Sequence, residues 1–200
     1  MDPQDELDQA IEQDDLALAD CALDAGADPN RPNAWGYAPL DWAAHIGSGG
    51  VVRMLLERGV VGLNLVSAAG AGLSEEIEQM LISGDYGGRR PDPSSPDEHW
   101  PIESAYQQHD ILGDALFAAA RNGHLEVVRR LVEDGANPNA RGVFGALSLH
   151  WAALFGHAPV VWYLLDLGLD PSECDPHFEA DAASWAEEGG FPELATALRV

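Results

Sequence analysis

Ala38-Pro39-Leu40-Asp41-Trp42-Ala43-Ala44 is the stretch whose reading decides the fold, because it returns twice along the chain. It comes back as Asp114-Ala115-Leu116-Phe117-Ala118-Ala119-Ala120 and as Leu147-Ser148-Leu149-His150-Trp151-Ala152-Ala153. Each copy leads to a glycine, Gly47, Gly123 or Gly156, and then to an apolar run. A second glycine closes each unit, at Gly59, Gly135 and Gly168. The spacing from Gly26 to Gly59 is 33 residues, and so is that from Gly135 to Gly168. A fixed period of that size predicts stacked supersecondary units in which every unit covers the apolar face of the next.

Each position in the unit has a physical task. Pro39 suits the first turn of a helix, where a missing N–H costs nothing, and the paired alanines allow neighbouring helices to approach closely. Gly123-His124-Leu125-Glu126-Val127-Val128 and Gly156-His157-Ala158-Pro159-Val160-Val161 open a second helix. Leu125, Val128, Leu131 and Val132 give that helix one apolar stripe at three-and-four spacing. Gly135 can take the left-handed conformation that closes its last carbonyls. The loop Ala136-Asn137-Pro138-Asn139 follows, echoed by Ala27-Asp28-Pro29-Asn30 and more loosely by Leu169-Asp170-Pro171-Ser172.

This pattern resembles the ankyrin repeat, and the resemblance covers nearly the whole chain. It implies an all-α solenoid of stacked helix-turn-helix units joined by short β-hairpin fingers, forming a single domain over 1–200. Six repeats are expected, at about 5–30, 31–62, 63–84, 114–139, 140–172 and 173–200. Leu7, Ala10 and Ile11 mark the first, whose exposed end is acidic. Ala68-Ala69 with Ile77, Met80, Leu81 and Ile82 mark the third, and Asp181-Ala182-Ala183-Ser184-Trp185-Ala186 the terminal cap. Two departures stand in the middle. Gly59 to Leu63 is too short for a finger, so a tight turn is expected there. Gly84 to Gly135 spans 51 residues, and the excess falls in an inserted loop at 85–113 with the turn-rich run Gly87 to Pro96. Trp100, Ile102 and Tyr106 are the residues in it able to pin part of it down.

Charge is the second strong signal. The chain carries 34 acids against ten basic residues, a formal net charge of −24, and every basic residue is an arginine. Residues 1–30 hold ten acids and no base, and 142–200 hold nine acids and only Arg199. Such a field repels nucleic acid and anionic membranes and speeds encounter with a basic partner; solubility alone is the plainer reason for it. No apolar run is long enough to cross a bilayer, and the N-terminus Met1-Asp2-Pro3-Gln4-Asp5-Glu6 is unlike a basic secretory leader, so the cytoplasm is the expected location. Cys21 and Cys174 fall in the first and last repeats and are expected to be unbridged. The absence of lysine beside abundant Ala, Gly, Asp and Arg points to a GC-rich bacterial genome.

The resemblance also implies where a partner binds: on the finger tips and the exposed side of the first helix of each repeat. The corresponding positions are Ala34, Trp35, Tyr37, His45 and Ile46 in one repeat and Val143, Phe144, Ala146, Leu154 and Phe155 in another, with Trp100 of the insertion as a further candidate. A surface that merely met water would be polar here. These positions are instead aromatic and branched, the composition of interface hot spots; packing of the same rings against neighbouring fingers or the inserted loop is the alternative. Trp42, Trp151 and Trp185 occupy one equivalent position and are assigned to packing between repeats.

No catalytic motif, cofactor site or metal site is expected. His124, His150 and His157 sit where the repeat itself has histidine, and His-Glu-x-x-His, paired cysteines, a phosphate-binding glycine loop and Gly-x-Ser-x-Gly are all absent from the sequence. His99 and His109 with Asp97, Glu98 and Asp110 lie in the insertion, at spacings that fit no rigid metal-binding element. The reading is therefore a non-catalytic module, monomeric when free, that holds a basic protein in its groove; an inhibitor or immunity protein is its most concrete form. A scaffold whose 85–113 insertion gives specificity, and an enzyme with its site in that loop, are the alternatives.

Overall fold

The computed structural model describes residues 2–34, 36–87, 111–141 and 145–199. Contacts divide the chain into two compact units, Met1–Trp100 and Pro101–Val200. The first holds α1 (Pro3–Gln13), α2 (Leu16–Asp24), α3 (Pro39–Ile46), α4 (Gly49–Glu57), α5 (Leu65–Gly70) and α6 (Ser74–Ser83). The second holds α7 (Ile111–Arg121), α8 (Leu125–Glu133), α9 (Ser148–Leu154), α10 (Ala158–Asp166), α11 (Ala182–Glu188) and α12 (Pro192–Leu198). No strand is present among the described residues; one antiparallel bridge, Arg141 to Leu147, is what remains of a hairpin. The fold is all-α, as the repeat pattern predicts.

In each unit the helices pair in sequence, α1 with α2 through α11 with α12. The first helices of the pairs then line up, α1 on α3 on α5 and α7 on α9 on α11. The alanines make this possible: Ala43, Ala44, Ala68, Ala69, Ala119, Ala120, Ala152 and Ala153 are all buried. Larger side chains there would hold the helix axes apart. On α8 the buried stripe is Val127, Val128 and Leu131, while Leu125 and Val132 are only half-buried, so the stripe is rotated by part of a turn from the expected one. Gly135 is left-handed, at φ 97°, as the reading requires.

Caps are supplied by short acidic or amide side chains. Asp2 accepts from the Gln4 N–H, Asp15 from those of Ala17 and Leu18, Asn64 from Ser67 and Asp181 from Ser184. Each satisfies a backbone donor at a helix start that the helix itself leaves unbonded. Three of the chain's acids, Asp2, Asp15 and Asp181, thus have a local structural use.

Polar staples join consecutive repeats. His150 is 1% exposed; its Nδ1 accepts from the Leu147 N–H at 3.0 Å, which leaves the proton on Nε2 to donate to the Glu173 carbonyl of the next repeat at 2.9 Å. In repeat two the same position is Asp41, which accepts from the Ser67 hydroxyl and, at 3.4 Å, from the Asn64 amide. His157 meets the Arg121 carbonyl of the preceding repeat at 2.9 Å, and Ser48, its equivalent, donates to the Ile11 carbonyl at 2.5 Å. The staple positions recur while the residue varies, so the bond rather than the imidazole is what the fold needs.

Burial holds the His150 imidazole well below its ordinary value, at about 4. The unfolded chain takes up its proton near pH 6.5 and the folded one only near pH 4. Stability from this group is therefore complete above pH 6.5 and declines as pH falls toward 4, by about 3 kcal/mol in all. Burial lowers His157 in the same sense. Urea unfolding at pH 7 and pH 4.5 is expected to show this loss in the native protein and a smaller one in His150→Asn; equal losses would show that His150 is not responsible.

The tight turn expected after repeat two is present. Between α4 and Asn64 the chain passes through Arg58–Leu63 without a hairpin, with Gly59 and Gly62 both left-handed. After α6 the chain returns, and the Tyr86 carbonyl accepts the Leu65 N–H at 3.0 Å. The helix α7 begins at Ile111, inside the segment read as insertion.

Candidate partner-binding surface

The finger of repeat two is a turn closed on Asn33. Its carbonyl accepts from the Gly36 N–H at 3.0 Å and its side chain from the Tyr37 N–H at 3.1 Å, while its own N–H donates to the Tyr37 carbonyl at 2.9 Å. This fixes Tyr37 over the start of α3. There it meets His45 at 5.3 Å between ring centroids and Trp42 at 5.7 Å, and Trp42 stacks on His45 at 5.6 Å. Two of the expected surface residues, Tyr37 and His45, are thus brought together, with Trp42 completing the cluster. Trp42 and His45 are three apart on α3, one helical turn, which is why the rings can stack. All three are half-buried, as is Ile46 at the end of α3.

Unit 2 carries a longer aromatic row. Phe117 on α7 meets Trp151 on α9 edge-on at 5.6 Å, and Trp151 meets Trp185 on α11 edge-on at 5.2 Å. Phe178 continues it, edge-on to Trp185 at 5.7 Å. Phe155, one turn along α9, lies parallel to Trp151 at 6.3 Å. The Arg121 guanidinium sits 5.4 Å from the Trp151 ring and 4.9 Å from that of Phe155, a cation over two π faces. Edge-to-face spacing of this kind adds to simple burial. The row is wet on one side: Phe155 is 41% exposed and Phe178 55%.

Trp185 itself is 6% exposed and is held by a buried carboxylate. Asp175, 1% exposed, accepts from the indole N–H of Trp185 at 2.9 Å through Oδ2. It also accepts from the backbone N–H groups of His177 at 2.9 Å, Phe178 at 2.6 Å and Ala180 at 3.2 Å. Burial alone would raise its pKa, but these four bonds outweigh it and the carboxyl sits below the ordinary value. The loop so folded presents Phe178 outward.

The finger of repeat five is braced from below. Arg141 donates to the Gly145 carbonyl at 2.7 Å and pairs with Glu173. Of the expected surface residues in this repeat, Ala146 is instead fully buried in the core, Leu154 is half-buried at the end of α9 and Phe155 is exposed beside Arg121. Val143 and Phe144 lie outside the described residues, as do Trp35 and Trp100 of the other candidates. So do the histidines of the insertion; among the described residues no group of three or more His, Cys, Asp or Glu is placed to hold a metal ion. No helix among the described residues is long and apolar enough to cross a membrane. Both cysteines are unbridged and exposed.

Sequence reasoning missed Phe117, Phe178 and Arg121. Phe117 stands one place before the repeated tryptophan, and Phe178 lies in a loop that follows no repeat rule. The four-residue spacing of Phe117 and Arg121 was the signal available for placing these two on one helix face.

Two ankyrin-repeat profiles match the chain, one described as ankyrin repeats in three copies over 65–175 and one as ankyrin repeats in many copies over 7–56. A palmitoyltransferase of Lachancea kluyveri is 43% identical over 61 residues, 30% of this chain and 8% of that protein. A cyclin-dependent kinase inhibitor 2A of Monodelphis domestica is 35% identical over 69 residues, 34% of this chain and 40% of its own length. A cyclin-dependent kinase 4 inhibitor B of Bos taurus is 37% identical over 87 residues, 43% of this chain and 66% of its own length. The matches thus span less than two thirds of each of these relatives. With one of these profiles covering more than half of the sequence and the helices stacked in pairs, this chain belongs to the ankyrin-repeat family.

Proposed function

We propose that this protein is a non-catalytic interaction module that binds a basic protein partner through its finger and first-helix surface, as an inhibitor or immunity protein does. The observation that carries the reading is the aromatic row of unit 2, half-exposed at Phe155 and Phe178, in a segment with nine acids and one arginine over 142–200. Exposed rings held against their neighbours, Phe155 parallel to Trp151 and Phe178 edge-on to Trp185, lose little freedom on binding, and they are the residues on which interface energy concentrates. The acidic field around them supplies attraction at long range and so acts on the association rate. An inhibitory role is in keeping with the names of two relatives, both kinase inhibitors. On unit 1 the candidates for contact are Tyr37, His45 and Ile46, with Trp35 and Trp100; on unit 2 Leu154, Val143 and Phe144 are candidates beside Phe155.

The test is capture of the partner from the native host, identification by mass spectrometry and kinetics on the purified pair. Raising salt from low to physiological strength is expected to slow association several-fold. Phe155→Ala and Phe178→Ala are each expected to raise the dissociation rate about tenfold or more, the loss of about 1.4 kcal/mol or more that marks a hot spot. A partner whose association ignores salt, or whose dissociation ignores both rings, overturns the reading.

A further inference from the structure

Three contacts of one buried imidazole tie the finger of repeat five to the loop that carries Phe178. His150 Nδ1 accepts from the Leu147 N–H at 3.0 Å, at the end of the finger. Its Nε2 donates to the Glu173 carbonyl at 2.9 Å, two residues before Asp175. Its ring meets that of Trp185 at 5.6 Å, and Trp185 in turn donates to Asp175. Finger and loop also touch directly. A Cβ on Gly145 would lie 2.6 Å from Pro176 Cγ, and Arg141, bridged to Leu147 across the finger, pairs with Glu173. His150 therefore stands where both loops meet the start of α9.

Valence decides what a second proton does here. Nε2 already gives its proton to a carbonyl, which can only accept, so the second must enter at Nδ1. There it meets the Leu147 N–H, donor against donor, and the bond that ends the finger is lost. To bond both protons the ring must turn, and turning gives up the Glu173 carbonyl and the Trp185 face as well. The charges that act on the ring come from the loop, from α11 and from the finger. Asp175 and Asp181 favour the imidazolium, and Arg141 opposes it. Asp175 is also the acceptor for the N–H groups of His177, Phe178 and Ala180, so a cation drawn to it competes with the bonds that fold the loop.

We infer that His150 is an acid-sensitive latch on the partner-facing side of unit 2: uncharged, it locks the finger and the Phe178 loop to α9, and a second proton releases both while the helices stay stacked. Its consequence for a partner, a weaker grip in acid, rests on the reading of Phe178 as a contact residue. The latched ring takes its proton only at about 4 and a released one near 6.5, so the released form gains about twentyfold between pH 7 and pH 5. The Asp175 carboxyl lies below its ordinary value and stays charged across that interval.

The test is amide hydrogen exchange of the whole ¹⁵N-labelled protein at pH 7 and pH 5, each rate divided by the intrinsic rate at that pH. Opening at Leu147, Phe178 and Ala180 is expected to rise about twentyfold in acid. Local release exposes little surface, so these amides are expected to ignore urea up to about 1 M, whereas Leu131 of α8 and Leu164 of α10, both fully buried, exchange faster in it. His150→Asn cannot take up the proton, and its rise is expected to stay below about threefold. His177, whose ring meets Phe178 at 4.5 Å, is the rival imidazole, and His177→Asn is expected to keep the full rise. The inference is overturned if the loop amides follow urea as the helix amides do, if His150→Asn keeps the rise, or if His177→Asn abolishes it; the first of these needs no variant. Should a basic partner bind through Phe155 and Phe178 while the loop amides ignore pH, the latch is refuted and the proposed function stands. Should the latch open as described and no basic partner be captured, the reverse holds.

Discussion

Replacing Asp175 by alanine is expected to destabilise unit 2 by about 4 kcal/mol, at the upper end of what single substitutions do. The carboxylate collects three backbone N–H groups and the Trp185 indole. Truncation leaves all four donors without their acceptor, the Trp185 indole in a buried bond and the three backbone groups in part-buried ones, and unmet buried donors cost far more than a bond contributes when made. Asp175→Asn separates the two halves of the arrangement. Its oxygen can still serve His177 and Phe178, but its NH₂ must face the Ala180 and Trp185 donors, so about half the loss is expected. Because the folded carboxyl titrates below its ordinary value, this contribution is present above about pH 4 and disappears as pH falls further. Urea unfolding followed by circular dichroism measures all three proteins. An alanine variant within about 1 kcal/mol of the native protein would mean that the loop Asp175–Ala180 is not held by this residue.

Why this residue escapes a reading of the sequence is instructive. In a chain with 34 acids, Asp175 looks like one more solubilising carboxylate; its role depends on a loop folding back over Trp185, which no period encodes. The repeat itself was legible because it is local: proline, paired alanines and glycines at 33-residue spacing each solve a steric problem within one unit. His150 and His157 were legible as structural residues for the same reason. Asp41 was not, since its staple to Ser67 and Asn64 appears only once the polarity of the bond is seen to reverse. Of the candidate surface residues, Tyr37, His45 and Phe155 take part in ring contacts, while the row from Phe117 to Phe178 joins residues of three repeats and a loop. The assignment of the tryptophans to packing fits Trp185. It fits Trp151 only partly, since that ring also forms the floor beneath Arg121 and Phe155.

Gly189→Ala is the second substitution with a large expected effect, and its neighbour supplies the control. Gly189 has an ordinary φ of −70°, so backbone freedom is no reason for a glycine there. The reason is the end of α9: a Cβ at Gly189 would lie 1.8 Å from the Leu154 carbonyl oxygen and 2.7 Å from its carbon. Both are backbone atoms that cannot turn aside, so α11 must move off α9. That movement would open the Trp151–Trp185 contact and the His150–Glu173 staple together. A loss of about 3 kcal/mol or more follows from such overpacking. Gly190 presents the opposite case, with φ at 85° and nothing within 4 Å of an added Cβ. Gly190→Ala therefore bears only the left-handed strain, about 1 kcal/mol. If close approach of α9 and α11 governs this end of unit 2, Gly189→Ala unfolds at clearly lower urea than Gly190→Ala. Should Gly190→Ala prove the more damaging of the two, backbone conformation and not helix contact sets the stability of the terminal repeat.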